Sequence, residues 1–159
     1  MPDAAWAAEL DAAVDWLDRL PLAGRIVELR AGIGFWSVLL ATRGELTAID
    51  ERPGMLEAAR ARLVAHRLRA HLHPRRLLDE AEGAADAVVL PFVLGSLGPT
   101  ERPAALERAL SWLAPGGRLV VIDVAAAAGD LAVALGGRLS SVEARMAGRE
   151  IVLATALTR

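Results

Sequence analysis

Two acids and two glycines stand at spacings that could hold a nucleoside ligand. Glu28 lies in the apolar run "RIVEL" (25–29), which leads into "RAGIG" (30–34) and then into "FWSVLLATRG", whose spacing is helical. Asp50 closes the next apolar run, "ELTAID" (45–50). Open α/β sheets bind ligands beyond the carboxyl ends of their strands, near the switch point, and Glu28, the loop 30–34 and Asp50 all fall there. Gly32 and Gly34 would let the backbone come close to a ligand, and the amino end of the following helix favours an anionic group. A carboxylate placed like Asp50 can accept both hydroxyls of a ribose. Singly, these are turn glycines and a capping acid; in this order and at these distances they point to a cofactor site.

The same residues discriminate between cofactors. A dinucleotide loop needs a third glycine to bring helix and strand together, but the pattern here is Gly32, Gly34, Ser37. That argues against a nicotinamide-dependent reductase. Glu28 would repel a pyrophosphate and attract an ammonium group. A ligand with an amino acid at one end and a ribose at the other satisfies Glu28, the loop amides and Asp50 together.

The elements that must position these residues follow from periodicity. Trp6, Leu10, Ala13, Val14, Leu17 and Leu20 predict an amphipathic helix over 4–20, ended by Pro21. Strands are expected at 25–29, 45–50, 69–74, 85–93 and 118–124. Helices are expected at 35–44, within 52–68 and at 100–113, the last with Thr100 as N-cap and "APGG" as its stop. A short helix near 129–135 and two strands, "LSSVEARM" and "EIVLATAL", joined by a turn at Ala147–Gly148, complete the chain. Alternating strands and helices imply α/β architecture: a doubly wound, mostly parallel Rossmann-like sheet. The closing hairpin must add an antiparallel C-terminal strand pair, since so short a turn permits no parallel crossover. A single domain is expected over 1–159: N-terminal helix (1–20), cofactor-binding core (25–124), and short helix with closing strands (125–159).

Composition narrows the function classes. Hydrophobic residues make up 54 % of 159, which excludes a disordered chain. A net charge of −2 gives no reason to expect nucleic acid or an anionic membrane as partner. The absence of cysteine excludes disulfides, zinc–thiolate sites and a cysteine nucleophile. The first twenty residues lack the basic start and apolar centre of a signal peptide, and "RLVVIDVAAAA" is too short to span a bilayer and is interrupted by Asp123. A cytoplasmic protein is the expectation.

"RIVELRAGIGFWSVLLA", "LTAIDERPGMLEAARARL", "ADAVVLPFVLGSLGP" and "ALSWLAPGGRLVVIDV" resemble the successive motifs of class I S-adenosylmethionine-dependent methyltransferases, most of all small bacterial members. The resemblance covers about residues 20 to 124. It implies S-adenosylmethionine as cofactor, with Glu28, Ala31, Gly32 and Gly34 around its methionine part. It also implies Asp50 at the ribose with Glu51 beside it, Met55 lining the adenine, and Leu90 to Phe92 near the transferred methyl.

Three positions depart from the family pattern. Arg30 replaces a small residue; Arg75 stands where an adenine-contacting Asp is common, so that Asp79 or Glu80 could serve only through a shifted loop; and Ser96 replaces a His. A guanidinium about 6.5 Å from the sulfonium would repel it by about 2–3 kcal/mol at an effective dielectric near 20. Arg30 could offset this by pairing with the ligand's carboxylate, Glu28 or Asp50, or could send its charge to solvent along a packed stem. His71 and His73 share a strand face without a third ligand at motif spacing, and read as solvent-facing residues. The expected activity is methyl transfer to a small-molecule acceptor, at a site that is shallow or completed by a homodimer or partner subunit. The alternative is a non-catalytic, degenerate methyltransferase-fold protein that regulates or scaffolds a partner.

Overall fold

A computed structural model describes residues 3–127, 129, 131 and 138–159. Helix α1 (Ala4–Arg19) opens on Asp3, whose carboxylate accepts the Ala5 amide at 3.1 Å. It buries Ala13, Trp16 and Leu17. Then follow β1 (Arg25–Leu29), α2 (Phe35–Ala41), β2 (Glu45–Asp50), α3 (Pro53–Ala65), β3 (His71–Pro74) and β4 (Ala85–Pro91). A 3₁₀ turn (Leu94–Ser96), α4 (Glu101–Trp112), β5 (Leu113–Val124), β6 (Leu139–Met146) and β7 (Ile151–Thr158) complete the order. The short helix expected near 129–135 lies largely outside the described residues.

The strands form one sheet in the order β3-β2-β1-β4-β5-β7-β6. The first five are parallel, and β7 runs antiparallel between β5 and β6. Alternation along each strand sends side chains to two cores. Ile26, Val89, Val120 and Ile122 pack with α1 and α2, while Val27, Val88, Leu119 and Val121 pack with Leu106, Ala109 and Trp112 of α4. The chain reverses its winding at β1, with β2 on one side and β4 on the other, which opens the crevice at their carboxyl ends.

Local differences from the sequence reading have physical causes. "APGG" lies inside β5, because Leu113 already pairs with Ala85 before a register shift brings Arg118 opposite Ala87. The closing hairpin turns over residues 147–150, and its amides explain the extra length. Those of Arg149, Glu150 and Ile151 converge on the carboxylate of Glu9, tying α1 to the hairpin. Thr100 precedes α4 without a side-chain capping bond; Glu101 instead accepts the Gly98 amide at 2.9 Å.

Candidate functional site

Glu28 is fully buried near the end of β1. Its Oε1 accepts the Ser37 hydroxyl from α2, and its Oε2 has no hydrogen-bond partner. Burial, with a smaller push from the charge of Asp50, moves its carboxyl up to about 8 against the pull of Ser37. At neutral pH Glu28 is therefore mostly protonated: a buried acid with one oxygen uncommitted, suited to a cation that would ionise it.

Asp50, at the end of β2, is the reverse case. Its Oδ2 accepts the Gly32 amide at 2.9 Å and Arg52 Nη2 at 3.1 Å; its Oδ1 accepts Arg52 N at 2.9 Å and Arg52 Nε at 3.0 Å. Burial tends to raise the carboxyl, but the Arg52 side chain and the two amides outweigh it and hold it below its ordinary value. All of the roughly four acceptor positions of a carboxylate are thus occupied.

The loop between β1 and α2 has three residues in the left-handed region: Arg30 (φ 58°), Gly32 (φ 59°) and Gly34 (φ 87°). A Cβ on Gly32 would meet open space, so ligand approach is free there. A Cβ on Gly34 would lie 2.8 Å from Ala59 Cα, so this glycine lets α2 and α3 pack. Arg30 pays the backbone strain of a non-glycine residue at such a φ and extends across the crevice. Its Nη2 bonds Glu51 at 3.1 Å and its Nη1 bonds Ser96 Oγ at 3.0 Å. Neither Glu28 nor Asp50 receives it, and its side chain is 28 % exposed. Beside it lies a cavity of about 440 Å³ lined by Arg30, Glu51, residues 76–79, Leu97 and Glu101.

Other anticipated residues fall at varying distances from this crevice. Ala31 is buried, and its amide bonds Ile49 at 2.9 Å. Met55 is half-buried in the first turn of α3. The Arg75 side chain is engaged away from the cavity: it stacks on Trp112 and pairs with Glu82 at 2.9 Å. Asp79 lines the cavity while accepting the Arg76 amide at 2.9 Å. Leu90 is fully buried in the core on the α4 side. Phe92, just beyond β4, is half-buried at φ 54°, with its ring between Trp6 (5.6 Å) and Trp36 (6.4 Å). His71 and His73 are exposed, His71 lies 3.3 Å from Glu45, and no group of three potential metal ligands occurs among the described residues.

Two residues escaped the sequence reading. Arg52 is a cation at the amino end of a helix, an unfavourable place unless an acid is paired with it, and Asp50 stands two residues before it. Asp123, an acid inside an apolar strand, accepts the amides of Leu94 and Gly95 and so fixes the turn that carries Ser96. Both signals were legible as charges in the wrong surroundings.

A doubly wound sheet with this strand order, and acids ending two adjacent strands around a glycine loop, defines a nucleoside-cofactor fold. The methyltransferase domain family matches residues 26–117, more than half of the chain, and the chain belongs to this family of class I S-adenosylmethionine-dependent methyltransferases. Among solved structures it is similar to DhpI in complex with SAH, at 22 % identity over 96 % of this chain and 85 % of that one, with a TM-score of 0.81. It is also similar to the N-methyltransferase NodS from Bradyrhizobium japonicum WM9 (20 % identity, 99 % of each chain, TM-score 0.78). A third likeness is to magnesium protoporphyrin IX methyltransferase from Synechocystis PCC 6803 with bound SAM (19 % identity, 94 % of this chain and 78 % of that one, TM-score 0.78). At such identities the likeness is one of fold. No curated protein matches the sequence.

Proposed function

We propose that the chain transfers the methyl group of S-adenosylmethionine to a small-molecule acceptor in the cytoplasm. The observation that carries the cofactor assignment is the uncommitted Oε2 of Glu28, a buried carboxyl oxygen without a hydrogen-bond partner near the end of β1. Family membership and the SAH- and SAM-bound relatives support the same ligand. Glu28 would take the ammonium group, Asp50 the ribose hydroxyls once Arg52 moves, and Asp79 with Met55 the adenine. When bound, the cofactor supplies a methyl group already activated on a sulfonium, so the protein's task is alignment and exclusion of water. A general base is needed only for an acceptor that must lose a proton. None of the described helices is long and apolar enough to cross a membrane.

The acceptor face is proposed at Phe92. The protein has six aromatic residues, and four of them, Trp6, Phe35, Trp36 and Phe92, form one cluster at the exit of β4 and the start of α2. Phe35 is exposed and Trp6 half-buried, which suits a shallow apolar site. Calorimetry with S-adenosylmethionine, S-adenosylhomocysteine and NADH, followed by transfer of a labelled methyl group to a panel of small amines, phenols and carboxylates, tests the reading. Binding of both sulfur compounds but not NADH, with label incorporated into a panel member, is expected. No binding of either sulfur compound at millimolar concentration would end the cofactor assignment. Binding without transfer would favour the non-catalytic scaffold.

A further inference from the structure

Arg30 and Arg52 lie on the same crevice. A ribose on Asp50 needs acceptor positions that Arg52 now fills, three of the four bonds to that carboxylate coming from this one residue. The Asp50 side chain is 0 % exposed while that of Arg52 is 55 % exposed, so the guanidinium can leave toward solvent and the carboxylate cannot. On the other side of the loop, Arg30 ties the β1 exit to Glu51 after β2 and to Ser96 after β4. The tie spans the switch-point crevice from one wall to the other. Its Ser96 anchor is itself fixed, since Ser96 Oγ donates to the Val93 carbonyl at 2.6 Å and Asp123 holds the turn.

We propose that Arg30 and Arg52 form a two-arginine latch across the cofactor crevice that must be displaced for the cofactor to enter. The proposal rests on the cofactor assignment above. Ribose hydroxyls replace Arg52 on Asp50, and the cofactor body replaces the bridge from Arg30 to Ser96. Cofactor affinity is thus set by an exchange against internal ion pairs. Both pairs have one solvent-exposed partner, so salt weakens the closed state. The left-handed φ of Arg30 adds strain that the bridge maintains.

S-adenosylhomocysteine is the suitable probe, because its neutral sulfur removes any repulsion between Arg30 and a sulfonium. Calorimetry on the intact chain should give about tenfold tighter binding for Arg52→Ala and for Arg30→Gly, and a further gain for the double variant. Arg52→Lys, which keeps the charge but loses the forked contact, should fall between wild type and Arg52→Ala. Raising salt from about 50 to 500 mM should tighten binding to wild type, because screening weakens the latch, and leave the double variant unchanged. Arg30→Gly removes strain and so provides a variant that folds. Binding of the probe by wild type with equal or weaker binding by both single variants would overturn the latch and leave the cofactor assignment standing. Binding only by the variants would support a fully closed latch. Failure of every form to bind at millimolar concentration would overturn the cofactor assignment, and the latch with it.

Discussion

Glu28 and Asp50 lie at the carboxyl ends of neighbouring parallel strands and are both almost fully buried, yet their carboxyls are shifted in opposite directions. Glu28 has one hydroxyl partner and an orphan oxygen, and its carboxyl is raised to about 8. Asp50 has two amides and a guanidinium, and its carboxyl is lowered. Burial raises both carboxyls; at Asp50 the donors outweigh it, and at Glu28 the single hydroxyl does not. On the proposed reading, the uncommitted oxygen of Glu28 would take the cofactor's ammonium group. On the same reading, Arg52 holds the acceptor positions on Asp50 that the ribose hydroxyls would take.

Removing the ionisable group of Glu28 should have the largest effect. Glu28→Gln keeps the shape but cannot ionise, and should weaken S-adenosylhomocysteine binding by about 2–3 kcal/mol, the worth of a charge-assisted bond to a buried group. Binding at neutral pH should release a proton in wild type and not in the variant, read by calorimetry in buffers of different ionisation enthalpy. Stability gives an independent readout. Between about 4.5 and 8 folded Glu28 holds a proton that the unfolded chain has lost, so its contribution is greatest at low pH and declines as pH rises toward 8. Urea midpoints across this window should converge on those of Glu28→Gln at the acid end and fall below them at the alkaline end. Parallel curves would show that Glu28 is ionised in the empty protein.

Asp50→Ala should rank next, with a loss of about 1–3 kcal/mol in binding from the missing ribose contact. Its pH signature has the opposite sign. A lowered carboxyl stabilises above its ordinary value of 3.8 and loses that contribution as pH falls through the folded value. The variant should therefore lack part of the wild-type decline in acid, measured by urea unfolding below about pH 4. Unchanged affinity would place the ribose elsewhere and dissolve the contrast between the two acids.

How much of this was legible depended on whether a residue's role is written in its own neighbourhood. Periodicity located the strands around Glu28 and Asp50, and the short closing turn dictated an antiparallel pair, because both follow from local pattern. The glycines were legible as a loop but not as separate roles: only the packing of Gly34 on Ala59 distinguishes it from Gly32. The destination of Arg30 was not legible. Pairing with Glu28 or Asp50 looked open, but Glu28 is fully buried and Arg52 holds Asp50, and Glu51 and Ser96 come together only once β2 and β4 flank β1. The partners of Arg75 were not legible for a related reason: a gap-free count cannot register that its side chain reaches Trp112 and Glu82 while Asp79 lines the cavity.

The smallest effect, and the finest test of the comparison, lies in Ser37→Ala. The Ser37 hydroxyl is the only donor to Glu28 among the described residues, and it pulls the carboxyl down against burial. Its removal leaves a second uncommitted oxygen and raises the carboxyl beyond about 8. Ligand binding should weaken by about 1 kcal/mol, the net worth of one hydrogen bond, less than for either acid. The proton released on binding should approach a full equivalent at about pH 7.5, since less of Glu28 is ionised beforehand. The same change in helix packing without effect on Glu28 would leave proton release untouched. Proton counting therefore separates a residue that tunes Glu28 from one that merely fills space beside it.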